Sequence, residues 1–178
     1  MTRRTPERLL VRVAQGADTP LITAFAHELA RGPLLLRYAA DPDKLATELA
    51  ALAGSARPSE TLLVALSSAE TDAPEPPVLY GIARVAHSGM FGSFGGYLKL
   101  IAVSERAQGL GIGSVLLSHV EQTVLPHSRD LFLLTSDFNE AAQRFYDRHG
   151  YREVGRLPGY VRPEITEVIL WKRLRGAR

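Results

Sequence analysis

Residues 108–117 read QGLGIGSVLL, and this stretch decides how the rest of the chain is read. Glycines alternate at 109, 111 and 113, directly after an apolar run (Leu98, Leu100 to Val103) and directly before an amphipathic helical pattern. A strand that turns through glycines into a helix presents main-chain N–H groups at the positive end of a helix dipole, which binds phosphate. Glycine suits the turn because the missing Cβ permits left-handed backbone and lets an anion approach the main chain. Two familiar phosphate loops fail on spacing. A P-loop needs Lys and Ser or Thr directly after its last glycine, whereas Gly113 is followed by Ser114 and Val115. The dinucleotide fingerprint needs a third glycine at 114, which is Ser. It also needs an acidic residue about 20 positions on, at the end of the next strand; Asp130 precedes that strand and Asp137 follows it.

The chain of 178 residues fits one domain, 1–178, with a single substantial core. At 46% apolar and 22% charged it has the composition of an ordinary soluble globular protein. Lys and Arg total 21 against 19 Asp and Glu, an excess of +2 that is too small to suggest nucleic acid as the main partner. The basic clusters stand at the ends (Arg3, Arg4; Lys172, Arg173, Arg175, Arg178) and read as solvated tails. There is no cysteine, hence no disulfide, no thiolate nucleophile and no cysteine-based metal site. No run reaches the length of a membrane span and no signal-peptide core opens the chain, so a cytoplasmic location without a membrane partner is expected.

Around the glycine turn the pattern resolves into elements. Leu9 to Ala14 alternates as a first strand. Asp18 or Thr19 can cap a helix through Leu29, which Gly32-Pro33 ends, and a second helix runs from Asp43 to about Ala53. Strands follow at Thr61 to Leu66, Val78 to Ala86 and Tyr97 to Val103, with loops at Ser67 to Pro77 and His87 to Gly96. Gly111 to Leu125 is a one-faced helix closed by Pro126, and Leu131 to Thr135 is an apolar strand expected to be buried on both faces. Asn139 to His149 is a helix closed by Gly150 at its C′ position, and Tyr151 to Gly155 and Ile165 to Trp171 are the last strands.

About 25 residues beyond the glycine turn comes NEAAQRFYDRHGY, Asn139 to Tyr151. Together the two segments resemble the Gcn5-related N-acetyltransferase (GNAT) superfamily. The family's acyl-CoA loop (Gln or Arg, two residues, Gly, one residue, Gly or Ala) is matched by Gln108, Gly111 and Gly113, with Val103 five residues before the Gln. The second family pattern is matched by Asn139, Ala142, Phe145, Tyr146, Gly150 and Tyr151. The resemblance covers roughly Glu60 to Leu174. It implies an α/β GNAT fold: a central mixed, mostly antiparallel sheet of six to seven strands, splayed between strands 4 and 5 and flanked by about four helices.

The resemblance also implies the chemistry. Acetyl-CoA, the cosubstrate, would lie where the fourth and fifth strands splay, with its pantetheine arm along the main chain of Ile101, Ala102 and Val103. The Val103 N–H would polarise the thioester carbonyl. Gln108 heads the loop, in which Gly109, Leu110, Gly111, Ile112 and Gly113 would give their N–H groups to the pyrophosphate together with Ser114. Asn139, Ala142 and Phe145 would face the coenzyme, and Arg148 its 3′-phosphate. Tyr146 would be the general acid that protonates the departing thiolate. Read without the resemblance, Tyr146 is a core tyrosine, Asn139 or Asp137 a helix cap, and Arg148 a solvated charge.

The acceptor must be neutral to attack. At pH 7 a lysine-like amine loses about 4.6 kcal/mol on deprotonation, an α-amine only about 1.1. Many relatives carry a base carboxylate on the fourth strand, but YLKLIAV (Tyr97–Val103) has none, which leaves Glu105, His87, His119 or a water relay. Arg31 to Tyr38, His87 to Gly96 and Leu157 to Pro163 would rim the acceptor site and carry Tyr38, Met90, Phe91, Phe94 and Tyr160. Those aromatics suit a partly apolar acceptor and equally a homodimer contact. No His/Asp/Glu cluster has ligand spacing, so no metal is expected. The reading is an N-acetyltransferase acting on a primary amine of a small molecule or peptide. Its rivals are a non-catalytic acyl-CoA sensor on the same fold and a nucleotide-binding regulatory domain.

Overall fold

The computed structural model describes residues 9–55, 59–67, 77–89 and 95–175. In chain order the elements are β1 (Leu9–Val13), α1 (Thr19–Ala30), α2 (Pro33–Arg37), α3 (Pro42–Ala50), β2 (Glu60–Ser67), β3 (Leu79–Ala86) and β4 (Gly96–Val103). They continue with α4 (Ile112–Val124), β5 (Asp130–Ser136), α5 (Glu140–Arg148), β6 (Arg152–Pro158) and β7 (Thr166–Arg173). The seven strands form one mixed sheet in the order β1-β2-β3-β4-β5-β7-β6. Its parallel ladder joins Gly96–Leu98 of β4 to Leu131–Leu133 of β5. The expected α/β GNAT fold is met, with five described helices rather than about four.

The added helix is α2, which the sequence pattern hides. Leu34, Leu35 and Leu36 are consecutive and so show no helical period. Leu34 and Leu36 are exposed, so the run marks no core face. Pro33 nonetheless suits the first helical turn, where its missing N–H costs nothing.

By packing the chain falls into two compact units, one of residues up to Arg84 with Leu100–Val120, the other of Val85–Lys99 with residues from Glu121 on. In the first, Ile22, Phe25 and Ala26 of α1 and Ala46 and Leu49 of α3 bury their apolar stripes with Leu62, Val64 and Leu66 of β2 and with Ile82 of β3. The Asp41 carboxylate caps α3 by accepting from the N–H groups of Asp43 and Lys44 at 2.9 and 3.1 Å. Asp18 behaves differently from the expectation. It stands at the N-terminus of α1, yet its side chain caps nothing there. Both of its oxygens are engaged elsewhere: Arg12 donates two bonds at 2.6 and 2.8 Å, and the Gln15 N–H donates at 2.7 Å. A bidentate guanidinium outcompetes a cap because charge-assisted bonds are about twice as strong.

The second unit is organised by β7. Seven residue pairs join it to β5, from Asp130↔Arg173 to Ser136↔Glu167, and β6 pairs along its other edge with an irregularity between Glu153 and Gly155. β5 is fully buried on one side only. Leu131, Leu133 and Thr135 are closed off, whereas Phe132 and Leu134 on the opposite face are only partly covered, so the expectation of burial on both faces is corrected. No helix among the described residues is long and apolar enough to cross a membrane.

The Arg12–Asp18 contact carries a stability prediction. Hydrogen bonding from Arg12 holds the nine-tenths-buried Asp18 carboxylate below its usual range, and burial opposes this more weakly. A depressed native-state pKa means a contribution that is complete above about pH 4 and is lost as pH falls through the folded-state value. Asp18→Ala is expected to lower the unfolding free energy by about 2 kcal/mol at pH 7 in a denaturant titration. The deficit shrinks as the titration is repeated at lower pH.

Candidate active site

The turn between β4 and α4 is built from below. After Val103 the Ser104 N–H donates to the Tyr80 carbonyl at 2.9 Å, and Glu105–Ala107 close one 3-10 turn. Ala107 and Ile112, each 1% exposed, pin the two ends of the segment into the core. Between them Gln108, Gly109 and Gly111 are exposed. Gly109 and Gly111 lie at φ of 78° and 80°, backbone that residues with a Cβ seldom adopt. The Gly111 carbonyl then accepts from Ser114 and Val115 at 3.0 and 3.2 Å to start the helix. Among the described residues no main-chain carbonyl accepts the N–H groups of Gly109, Leu110, Gly111, Ile112 or Gly113. These are five successive neutral donors at the positive end of a 13-residue helix, a donor set suited to a diphosphate. Ile101, Ala102 and Val103, all half-buried, lead into this turn along β4.

The second predicted cluster lies on α5 in the other unit. Asn139 is the cap: its Oδ1 accepts from the Ala142 N–H at 3.2 Å, which decides between Asn139 and Asp137. Gln143 ties the helix back to the end of β5 by donating to the carbonyls of Ser136 and Asp137 at 3.0 and 2.9 Å. At the other end Gly150, at φ 81°, lets the chain reverse. Its N–H donates to the Asp147 carbonyl at 2.9 Å and the Tyr151 N–H to the Tyr146 carbonyl at 3.1 Å, the paired bonds of a Schellman closure. The closure sets the Tyr151 ring against the Tyr146 ring edge-on, centroids 5.6 Å apart. Phe145 packs against Tyr146 from the other side at 5.2 Å.

Tyr146 is therefore 6% exposed, and burial alone pushes its phenol well above the usual value. The phenol therefore stays protonated at ordinary pH. Ala142 and Phe145 are half-buried and Arg148 is exposed.

The expected bases differ in setting. Glu105 is exposed in its 3-10 turn. His119 Nδ1 lies 2.9 Å from the Val115 carbonyl one helical turn back, and His87 stacks on His127 with centroids 4.3 Å apart. A residue outside those expectations is Glu167 on β7, a carboxylate only 3% exposed, opposite Ser136 of β5. Its field, together with that of Tyr160 and, above both, burial, raises the Tyr97 phenol. The signal for it was a lone acid in the apolar strand TEVILW. Of the expected rim residues, Tyr38 ends α2 half-buried and Tyr160 is exposed, whereas Met90, Phe91 and Phe94 lie outside the described residues. Among the described residues no three His, Asp or Glu cluster as a metal site.

Comparison with known proteins gives the family and the fold. The sequence model of the acetyltransferase (GNAT) family matches residues 33–151. The chain belongs to that family. A 62-residue stretch is 39% identical to the 5-NmdU N-acetyltransferase of Pseudomonas phage PaMx11, covering 35% of this chain and 43% of that protein. An 85-residue stretch is 31% identical to an uncharacterised N-acetyltransferase of Methanocaldococcus jannaschii, covering 47% and 54%. The matched stretches thus span about half the length of these relatives. In fold, the chain is similar to an acetyltransferase from Thermus thermophilus (TM-score 0.70, 18% identity, 96% and 99% of the two chains). It is also similar to an aminoglycoside 6′-N-acetyltransferase solved with coenzyme A (TM-score 0.68, 17% identity, 95% and 99%).

Asn139→Ala is expected to cost about 1 kcal/mol of stability through the lost cap, read from chemical denaturation. Asn139→Ser, which restores an oxygen acceptor at the same place, recovers most of it.

Proposed function

We propose that this protein is an N-acetyltransferase that moves an acetyl group from acetyl-CoA to a primary amine by direct attack. The observation that carries the reading is the run of main-chain N–H groups from Gly109 to Gly113 that no main-chain carbonyl among the described residues accepts. Family membership supports it, as do relatives named N-acetyltransferases and a structural neighbour solved with coenzyme A. When bound, acetyl-CoA supplies the activated acyl carbon and a thiolate leaving group.

The chain's own residues then have distinct tasks. Gly109 to Gly113, with Gln108 and Ser114, hold the diphosphate. Ile101, Ala102 and Val103 offer main-chain groups to the pantetheine, and the Val103 N–H polarises the acyl carbonyl. Asn139, Ala142 and Phe145 line the α5 side and Arg148 meets the 3′-phosphate. As the amine nitrogen bonds to the acyl carbon and the C–S bond breaks, Tyr146 gives its proton to sulfur, and the proton that the nitrogen sheds on becoming an amide restores the phenol. The acceptor enters as an ammonium ion and must shed a proton before it attacks. Glu167, whose charge acts on the Tyr97 phenol, suits that cation because a carboxylate attracts it.

The direct test is release of free coenzyme A thiol from acetyl-CoA in the presence of an amine panel, with calorimetry of coenzyme binding alongside. Failure to bind either form of the coenzyme sinks the proposal. Tyr146→Phe should bind coenzyme A as the parent does while kcat falls by about 10²–10⁴. Because burial raises the phenol's pKa, the parent's rate should climb with pH as the acceptor loses its proton. It should show no falling limb from Tyr146 below about pH 10. Glu167→Gln should raise KM for the amine much more than KM for acetyl-CoA; equal effects on both would remove Glu167 from acceptor binding.

A further inference from the structure

A groove of about 460 Å³ opens in the second unit, lined by Glu121, Arg152, Trp171, Lys172, Arg173 and Arg175. It holds four cations and one carboxylate, while the whole chain has an excess of only two positive charges. The charge is thus concentrated here and balanced elsewhere. Two of the cations are committed. Lys172 Nζ donates to both oxygens of Glu121 at 2.7 and 2.8 Å and lies 5.4 Å from the Tyr151 ring centre. Arg173 pairs with Asp130 at 3.0 Å, and the same Asp130 oxygen accepts from Trp171 Nε1 at 2.9 Å. Arg152 and Arg175 are exposed, and neither forms an ion pair among the described residues.

The geometry makes this more than a solvated patch. Arg152 stands directly opposite Trp171 in the β6–β7 ladder, so the two side chains leave the sheet on one face. The bond from Nε1 to Asp130 fixes the half-exposed indole by its edge, between Phe132 and Arg152 in the sheet. Two uncommitted guanidinium groups beside a fixed aromatic plane match a phosphate attached to a flat base. Guanidinium takes phosphate oxygens in pairs, and an indole stacks on any nucleobase. The volume is in the range of small-molecule sites. None of these residues belongs to the 108–114 turn or to α5.

We infer that this groove binds a nucleotide, with its phosphate on Arg152 and Arg175 and its base on Trp171. The nucleotide can come free or as part of a single strand, and the two sources share this chemistry.

Trp171 is the chain's one tryptophan, so intrinsic fluorescence reports on this groove directly. The full chain is titrated in parallel with AMP, inorganic phosphate and a short single-stranded oligonucleotide. Saturable quenching by AMP or the oligonucleotide is expected, with phosphate alone binding more weakly. An oligonucleotide far tighter than AMP assigns the strand as the source, and comparable affinities assign the free nucleotide. The double variant Arg152→Gln, Arg175→Gln should weaken binding about tenfold or more while keeping the parent's melting temperature and acetyl-CoA turnover. Gly111→Ala, which strains the coenzyme turn, should leave the quenching intact. The inference is overturned by no saturable quenching, by phosphate binding as tightly as AMP, by unchanged affinity in the double variant, or by loss of quenching in Gly111→Ala. Only the last of these leads back to the coenzyme site, so the two readings can fail separately.

Discussion

An α-helix cannot satisfy its own first N–H groups, and the start of α4 turns that deficit into a surface. Most helices answer it with a capping side chain. Here the chain instead places glycines at positive φ and anchors the segment through Ala107 and Ile112, both apolar and closed off from solvent. Because the anchors are hydrophobic, the outward side of the turn is main chain rather than side chain. Recognition by peptide N–H asks for backbone shape and little for residue identity. That is why alternating glycines within an apolar frame carry more meaning than any charged residue near them.

The tyrosine on α5 is held by a different device. Packing fixes Tyr146: the Gly150 reversal brings Tyr151 against it, and Tyr151 is in turn held by donating its hydroxyl to Glu121 at 3.0 Å. Glu121 also takes Lys172, so one carboxylate serves two partners at the end of α4. Tyr146 is thus oriented by ring contacts, while the hydroxyl proton committed to a carboxylate is that of Tyr151. Burial reinforces this by keeping the phenol protonated. Position and protonation state thus follow from the same packing.

Where each residue acts through its periodicity or its own backbone, the sequence was readable. The β4–turn–α4 unit, the α5 cap at Asn139 and the reversal at Gly150 are local events, and these elements fall within one or two residues of their expected bounds. What escaped leaves no trace in a local period. Asp18 reads as a cap until Arg12, six residues earlier, folds back on it. α2 is too short and too uniformly apolar to show a period. Glu167 stands 70 residues from Tyr97 in sequence, and no local pattern links them. The low overall charge likewise concealed a groove assembled from α4, β6 and the end of β7.

On the proposed reaction the two ends of the proton path cannot exchange roles. The leaving sulfur needs a proton, and burial ensures that the Tyr146 phenol still carries one when the C–S bond breaks. The entering nitrogen has a proton to lose, and a carboxylate is a far weaker base than a lysine-type amine. As proposed, Glu167 attracts the cation while water or a neighbouring group takes the proton, so its effect falls on binding rather than on the bond-making step. An α-amine, for which neutralisation at pH 7 costs only about 1.1 kcal/mol, needs no stronger base than this. A lysine-type acceptor would need one, and the fourth strand does not supply it: Tyr97 to Val103 carries no carboxylate. On the proposed reaction, a lysine-type acceptor therefore loses its proton to a group outside that strand.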